Sequence, residues 1–514
     1  MSESPTSPEI AWRRGAPVLV VSVLILAAFS IAAFAAPVAL DAAFERAFRF
    51  STQSFGWLYL SATSAFVGLL AYLAFSRTGS ILLGQEGEPP EYSLRSWLAM
   101  IFATGMGVGL VFWGVAEPIA HFVEPPRRMV DPQSAIAARD AMRYSVFHWG
   151  VHQWALYTVV ALSIAYARFR AGQPGLISAC FRPLLGAKTS GPLGWTIDIV
   201  AVIATVFGVA TTLGFGILQA SGGFHETLGT PLGVRTELLI TLIVTACFTA
   251  SASTKLSQGI LFLSHINMVV ACVLALFVFV FGPTVAILDT AVQTMGDVLA
   301  RFVEMSLSTR PFSESDWVER WTIFYWAWAL SWSPFVGMFI ARISRGRTVR
   351  EFILGVMLIP AAISAIWFFI FGGSALHYEL FGEAQIVDAA AENTSLALFA
   401  LLEQLPLPTL SSLTATLLVM IFLVTSADSA TFVLSMFTSG GEENPPNSMR
   451  ILWGLAQAAL ASALLYTSGL HALRTVSITT ALPFLMLLLV MVGVLVRSLK
   501  RDLKQNTRAS RIST

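Results

Sequence analysis

The chain has 514 residues, of which 56% are hydrophobic and only 12% charged, and its net charge is +1. Soluble globular domains carry roughly 25% charged residues, and so balanced a charge offers no electrostatic footing for nucleic acid. Apolar runs of about 20 residues recur along the whole length, too long for barrel strands, so an all-α polytopic membrane protein is expected.

Twelve spans are predicted, near 17–37, 54–76, 96–116, 144–167, 194–220, 236–254, 258–282, 319–341, 349–372, 409–438, 450–466 and 475–497. The first apolar run is long and follows Arg13 and Arg14, which argues for a retained span and against a cleaved leader. With the N-terminus inside, Lys and Arg number 20 on that side and 11 on the other, which places both termini in the cytoplasm and the chain in the plasma (inner) membrane. The 117–143 loop, with Arg127, Arg128, Arg139 and Arg143, runs against that bias. Cys180, Cys247 and Cys272 lack metal-ligand spacing and read as small core residues.

The third span reads AMIFATGMGVGLVFWGVAEP, with Gly105, Gly107 and Gly109 alternating in its middle. Helix packing in membranes usually spaces small residues by four. Glycine at every second position lowers the cost of non-helical backbone, so an unwound binding segment is expected there. The eighth span, FYWAWALSWSPF at 324–335, holds Pro334, which removes an intrahelical hydrogen bond and predicts a second break. Corresponding broken helices in two halves point to a transporter's midplane site. The two halves would be 96–282 and 319–497, preceded by two accessory helices in 17–95. Residues 1–16 would form a cytoplasmic N-terminus and 498–514 a basic cytoplasmic tail. Residues 283–318 would be a linker with an amphipathic helix at 284–305, lying along the outer face.

Trp149, Trp154 and Tyr157 fall roughly on one face of the fourth span, and Trp328 and Trp332 share a face of the eighth. One aromatic stripe is most often core packing, but two beside the same presumed cavity raise a different chemistry. An aromatic cage holds a quaternary ammonium or sulfonium by cation–π attraction, worth about 2 kcal/mol or more when desolvated. Near that cavity Glu117, Asp428 and Arg342 are placed toward span ends, so a methylated onium is the expected ligand. The basic residues of ARISRGRTVRE (Arg342, Arg345, Arg347, Arg350) serve the inside charge bias or a network with acidic partners. An enzyme is not expected: the seven histidines show no HExxH pattern, and His148 and His152 stand four apart without a third metal ligand.

GMGVGLVFWGVAEP at 105–118, WGVHQWALYTVV at 149–160 and FYWAWALSWSPFVGMFIARISRGRTVREFILG at 324–355 resemble the betaine/choline/carnitine transporter family. The resemblance runs along nearly the whole chain. It implies twelve transmembrane helices, a LeuT-like 5+5 inverted repeat after two extra helices, alternating access, no cofactor, and a homotrimer. It implies substrate-binding roles for Trp149, Trp154, Tyr157, Trp328, Trp332 and the glycines 105, 107 and 109. The family's further cage tryptophan would fall at Ala329, which opens one wall. Gly109 stands where choline-carrying relatives tend to place an acid, which favours a zwitterion such as glycine betaine or its sulfonium analogue. Sodium is the implied coupling ion, held by the carbonyls of Ala103, Met106 and Phe422 and the hydroxyls of Thr425 and Ser426. Thr205 and Phe335 match a second sodium position, where Val209 replaces an expected threonine. The alternative is a sodium-independent or proton-coupled carrier or exchanger of choline, carnitine or a related solute.

Overall fold

The computed structural model describes residues 8–512 apart from 106, 128, 254–256 and 383. Among these the chain is helical, with one isolated antiparallel bridge between Leu82 and Thr348. The N-terminal pair is α1 (Pro8–Ala35) and α2 (Pro37–Phe75). The predicted third span is α3 (Leu94–Gly105) and α4 (Val108–Val123), bent by 57° at the glycine-rich break. The predicted fourth is also two helices, α5 (Ala135–His148) and α6 (Val151–Ala165). After a short α7 (Arg182–Leu185) come α8 (Pro192–Leu228), α9 (Val234–Ser253) and α10 (Ser257–Phe281). Then follow α11 (Thr284–Leu307), α12 (Phe324–Arg342), α13 (Val349–Phe381) and the short α14 (Ile386–Glu392) and α15 (Ala397–Glu403). The last three are α16 (Pro408–Thr438), α17 (Asn447–Thr467) and α18 (Leu470–Ile512).

Among the described residues nine helices are long and apolar enough to cross a bilayer, or ten with the bent α3/α4 pair. The difference from twelve lies in α5 and α6, each too short alone, and in α9, which runs up to residues outside the description. Each predicted span nonetheless coincides with helix.

The expected break at Pro334 is absent: α12 runs straight through it. Proline leaves the carbonyl four residues earlier without its amide partner. Here that carbonyl belongs to Leu330, and the Ser333 hydroxyl donates to it at 2.7 Å. The second interruption lies instead at Trp149–Gly150, between α5 and α6. A Cβ on Gly150 would sit 2.8 Å from the Val146 carbonyl oxygen, so only glycine fits that turn. The interruption at 149–150 is enclosed by protein, the setting in which a bilayer-depth chain tolerates non-helical backbone.

Small residues let the central helices meet closely. A Cβ on Gly337 of α12 would lie 2.8 Å from Val160 of α6. A Cβ on Gly216 of α8 would lie 2.5 Å from Leu423 of α16 and 2.7 Å from Val108, the first residue after the α3/α4 break. The start of α4 thereby packs against α8 beside α16.

The 342–350 turn is fastened to the segment after α2. Leu83 N–H donates to the Arg347 carbonyl at 2.8 Å, Gly346 N–H to Leu83 at 2.8 Å, and Val349 N–H to Ile81 at 2.9 Å. Of the four arginines, Arg345 pairs with Glu88 at 2.6 Å, while Arg347 and Arg350 donate to the carbonyls of Tyr92 and Ala74. Arg342 lies over the Phe432 ring.

The anomalous basic loop has a local explanation. Arg127 and Arg143 both pair with the buried Asp140, and Arg139 grips Asp297 of α11 with both ends of its guanidinium. Arg128 lies outside the described residues. Helix α11 turns Thr294, Asp297 and Ser306 inward and exposes Val285, Val292, Leu299 and Val303. The Arg139 guanidinium holds the Asp297 carboxyl below its usual range. A depressed carboxylate stabilises the fold above its unfolded value of about 4, and that contribution fades as pH falls through the lower folded value. Asp297→Asn should therefore melt below the wild type at pH 7, with the gap closing as the pH is taken below about 4. Melting curves in detergent across that range check it, and a gap independent of pH would refute it.

Candidate functional site

The first turn of α4 meets the α5/α6 interruption at Trp149. Gly107 bridges α3 and α4 in extended backbone (φ −163°, ψ 174°), and Gly109 follows in the first turn of α4. A Cβ on Gly109 would lie 2.5 Å from Cη2 of Trp328 and 3.1 Å from Cη2 of Trp149. Those two indoles meet edge-to-face, with centroids 5.9 Å apart at 84°. Tyr325 and Phe368 close on Trp149 at 5.7 and 5.8 Å. Phe324 stacks on Trp328 at 5.8 Å and 10°, and Phe215 meets it edge-on at 5.2 Å. The Trp328 indole N–H donates to Thr212 at 3.0 Å, which fixes its ring plane. Three residues singled out in sequence, Gly109, Trp149 and Trp328, thus form one buried cluster from three separate helices.

The other aromatic positions lie further along the same elements. On α6 Trp154 and Tyr157 meet at 5.2 Å and 72°, both buried, and the Trp154 N–H has no acceptor. The Tyr157 hydroxyl accepts from Gln153 at 3.4 Å. On α12 Trp332 meets Phe335 at 5.4 Å, against Gly208 of α8. Ala329, between the two α12 tryptophans, is buried. Gly105 ends α3, and Met106 lies outside the described residues.

Among the oxygen donors, Ala103 sits in the last turn of α3, where carbonyls have no intrahelical partner. The Thr425 hydroxyl of α16 donates to the carbonyls of Ile421 (2.9 Å) and Phe422 (3.3 Å), and Ser426 is half-buried beside it. The close approach at Gly216 brings this stretch of α16 to the start of α4. Thr205 of α8 donates to Ala201 at 2.8 Å, and Val209, one turn on, is buried.

Glu117 corrects the picture drawn from sequence. Because α4 restarts at Val108, Glu117 falls near that helix's middle and is fully buried. Its Oε2 accepts from the Trp149 indole N–H at 2.9 Å. Its Oε1 hydrogen-bonds His148 Nδ1 at 2.7 Å and His121 Nε2 at 3.1 Å. His148 Nε2 reaches the Thr322 hydroxyl at 2.9 Å. His148 therefore pairs with Glu117 and His121, whose ligand atoms lie within 4.8 Å of one another, and not with His152, which bonds Ser306. The three could hold a metal ion by donor type, but their hydrogen bonds already satisfy the carboxylate and fix Trp149. The signal available in sequence was Glu117 and His121 four apart in an apolar run, since an intramembrane ionisable pair is functional by default.

The fold and site are those of a multi-pass α-helical membrane protein whose interrupted helices meet at an aromatic cluster. A match to the family described as BCCT, betaine/carnitine/choline family transporter, covers residues 17–504, and the chain belongs to that family. It is 46% identical to the glycine betaine transporter OpuD of Bacillus subtilis (strain 168), over 90% of each chain. It is 43% identical to the ectoine/hydroxyectoine transporter of Virgibacillus pantothenticus, over 95% of this chain and 97% of that one. It is 41% identical to a glycine betaine transporter of Acinetobacter baylyi (strain ATCC 33305 / BD413 / ADP1), over 94% of this chain and 73% of that one. The protein is a transporter and not an enzyme.

Glu117→Ala should free the Trp149 ring and leave two buried histidines without their acceptor, a penalty of about 1–3 kcal/mol for each unpaired group. A lower melting temperature and altered tryptophan fluorescence are expected, with Glu117→Gln closer to wild type. Identical spectra and melting in Glu117→Ala would remove the positioning role.

Proposed function

We propose that the protein takes up a quaternary ammonium or sulfonium zwitterion of the glycine betaine type by sodium symport and alternating access, across a plasma membrane with both termini in the cytoplasm. The observation that carries this is the Trp149–Trp328 pair closing over Gly109 at the α3/α4 break. Ring faces there attract a permanent cation, and the carboxylate beside them, Glu117, is engaged by the Trp149 indole and two histidines. The glycine betaine and ectoine transporters among its relatives support a compatible solute.

Sodium coupling is supported by the oxygen donors on the two elements, the carbonyl end of α3 and the Thr425 and Ser426 hydroxyls of α16, whose helix meets the start of α4 at Gly216. A hydroxyl that donates to a carbonyl keeps lone pairs for a hard cation. The Thr205–Phe335 position is weaker, because Val209 has no oxygen to offer. Proton coupling is the second reading, favoured by the buried Glu117–His121–His148 cluster beside Trp149.

Tracer uptake into proteoliposomes decides between them, using betaine, choline, carnitine, ectoine and the sulfonium analogue, with imposed sodium or proton gradients. Sodium should drive betaine uptake, and Trp149→Leu and Tyr157→Leu should each lower it at least tenfold with normal insertion. Thr425→Val should raise the sodium concentration needed for half-maximal rate about tenfold, the loss of one ligand at roughly 1.4 kcal/mol. Uptake that ignores sodium but follows a proton gradient selects the second reading, and unchanged kinetics in both ring variants removes the cage.

A further inference from the structure

Arg474, in the first turns of α18, lies against aromatic rings on three sides. Its guanidinium carbon is 4.8 Å from the Trp113 centroid, 4.4 Å from Trp321 and 5.2 Å from Phe324. Helix α18 is held there by the Thr211 hydroxyl, which reaches the Leu473 carbonyl at 3.2 Å and the Ser477 hydroxyl at 2.8 Å. The side chain as a whole is half-buried, but its Nε–H is enclosed and has no acceptor. Glu117 does not supply one, since its two oxygens accept from Trp149 and bond both histidines. Phe324 joins this arginine to the aromatic cluster, because the same ring stacks on Trp328.

Rings that cover the faces of a guanidinium leave only its edge for hydrogen bonding. That edge is a rigid fork whose spacing matches a carboxylate. A buried N–H without an acceptor is costly, and an incoming carboxylate would satisfy it. We propose that Arg474 recognises the carboxylate of the zwitterionic solute at an entry site one ring away from the Trp149–Trp328 cage. The rings of Trp113, Trp321 and Phe324 hold the fork in place, and the solute passes from Arg474 to the cage as its cation reaches the deeper indoles. This assignment rests on the zwitterion uptake proposed above. It goes beyond it in giving the anionic half of the solute its own protein partner, which explains how the site tells a zwitterion from a bare onium.

The test is glycine betaine uptake by wild type, Arg474→Met and Arg474→Lys in proteoliposomes, with half-saturating concentration and maximal rate measured separately. Met keeps an apolar stem among the rings without the fork, and Lys keeps the charge without the bidentate edge. Arg474→Met should raise the half-saturating concentration about tenfold while the maximal rate per inserted molecule stays within twofold, with Arg474→Lys between it and wild type. A purely structural arginine would lower the maximal rate and melting temperature and leave half-saturation unchanged, and that outcome overturns the assignment. Should Arg474→Met fail to insert, Arg474→Lys decides alone: half-saturation within 1.5-fold of wild type counts against the fork. Wild type that takes up no zwitterion at all would instead sink the function proposed above.

Discussion

Bilayer depth leaves a polypeptide little freedom, because an N–H or C=O that faces hydrocarbon has no water to bind. That constraint organises this molecule. Helix is interrupted between α3 and α4 and at 149–150, and α8, α12, α13 and α16 pack against the helices that flank these places. Glycines are what make such enclosure possible. Without a side chain at 109 two indoles can come down onto the backbone, and without one at 216 three helices converge beside the first interruption.

Much of the architecture was legible because lipid imposes a simple code. Long apolar runs had to be helices, and each predicted span overlies one. The alternating glycines also announced the bend between α3 and α4. Local chemistry misled where a neighbour repaired it. Pro334 looked like a breaker, yet the serine beside it takes up the stranded carbonyl. The true second interruption rests on a single glycine at 150, whose meaning depends on how tightly the preceding turn crowds it. Glu117 was put at a span end because the third span was drawn to stop at 116, whereas α4 runs on to Val123.

The aromatic positions were legible through periodicity and family resemblance, and the structure gathers Trp149 and Trp328 with Gly109. The partners that orient them were not legible. Trp149 is held by a carboxylate 32 residues away, and Arg474 meets Phe324 across 150 residues of chain. No local pattern predicts such meetings. A single arginine in a run of leucines and threonines looks like a topological charge until the opposing rings are in view. The 117–143 arginines, which ran against the charge bias, spend their charge on Asp140 and Asp297.

The short ladder joining residues 81–83 to 346–349 ties the accessory helices to the junction of α12 and α13. The segment that follows α2 is therefore built into the turn between α12 and α13. A chain cut to begin after residue 83 would leave the amides of residues 346 and 349 and the carbonyl of 347 without these partners between α12 and α13.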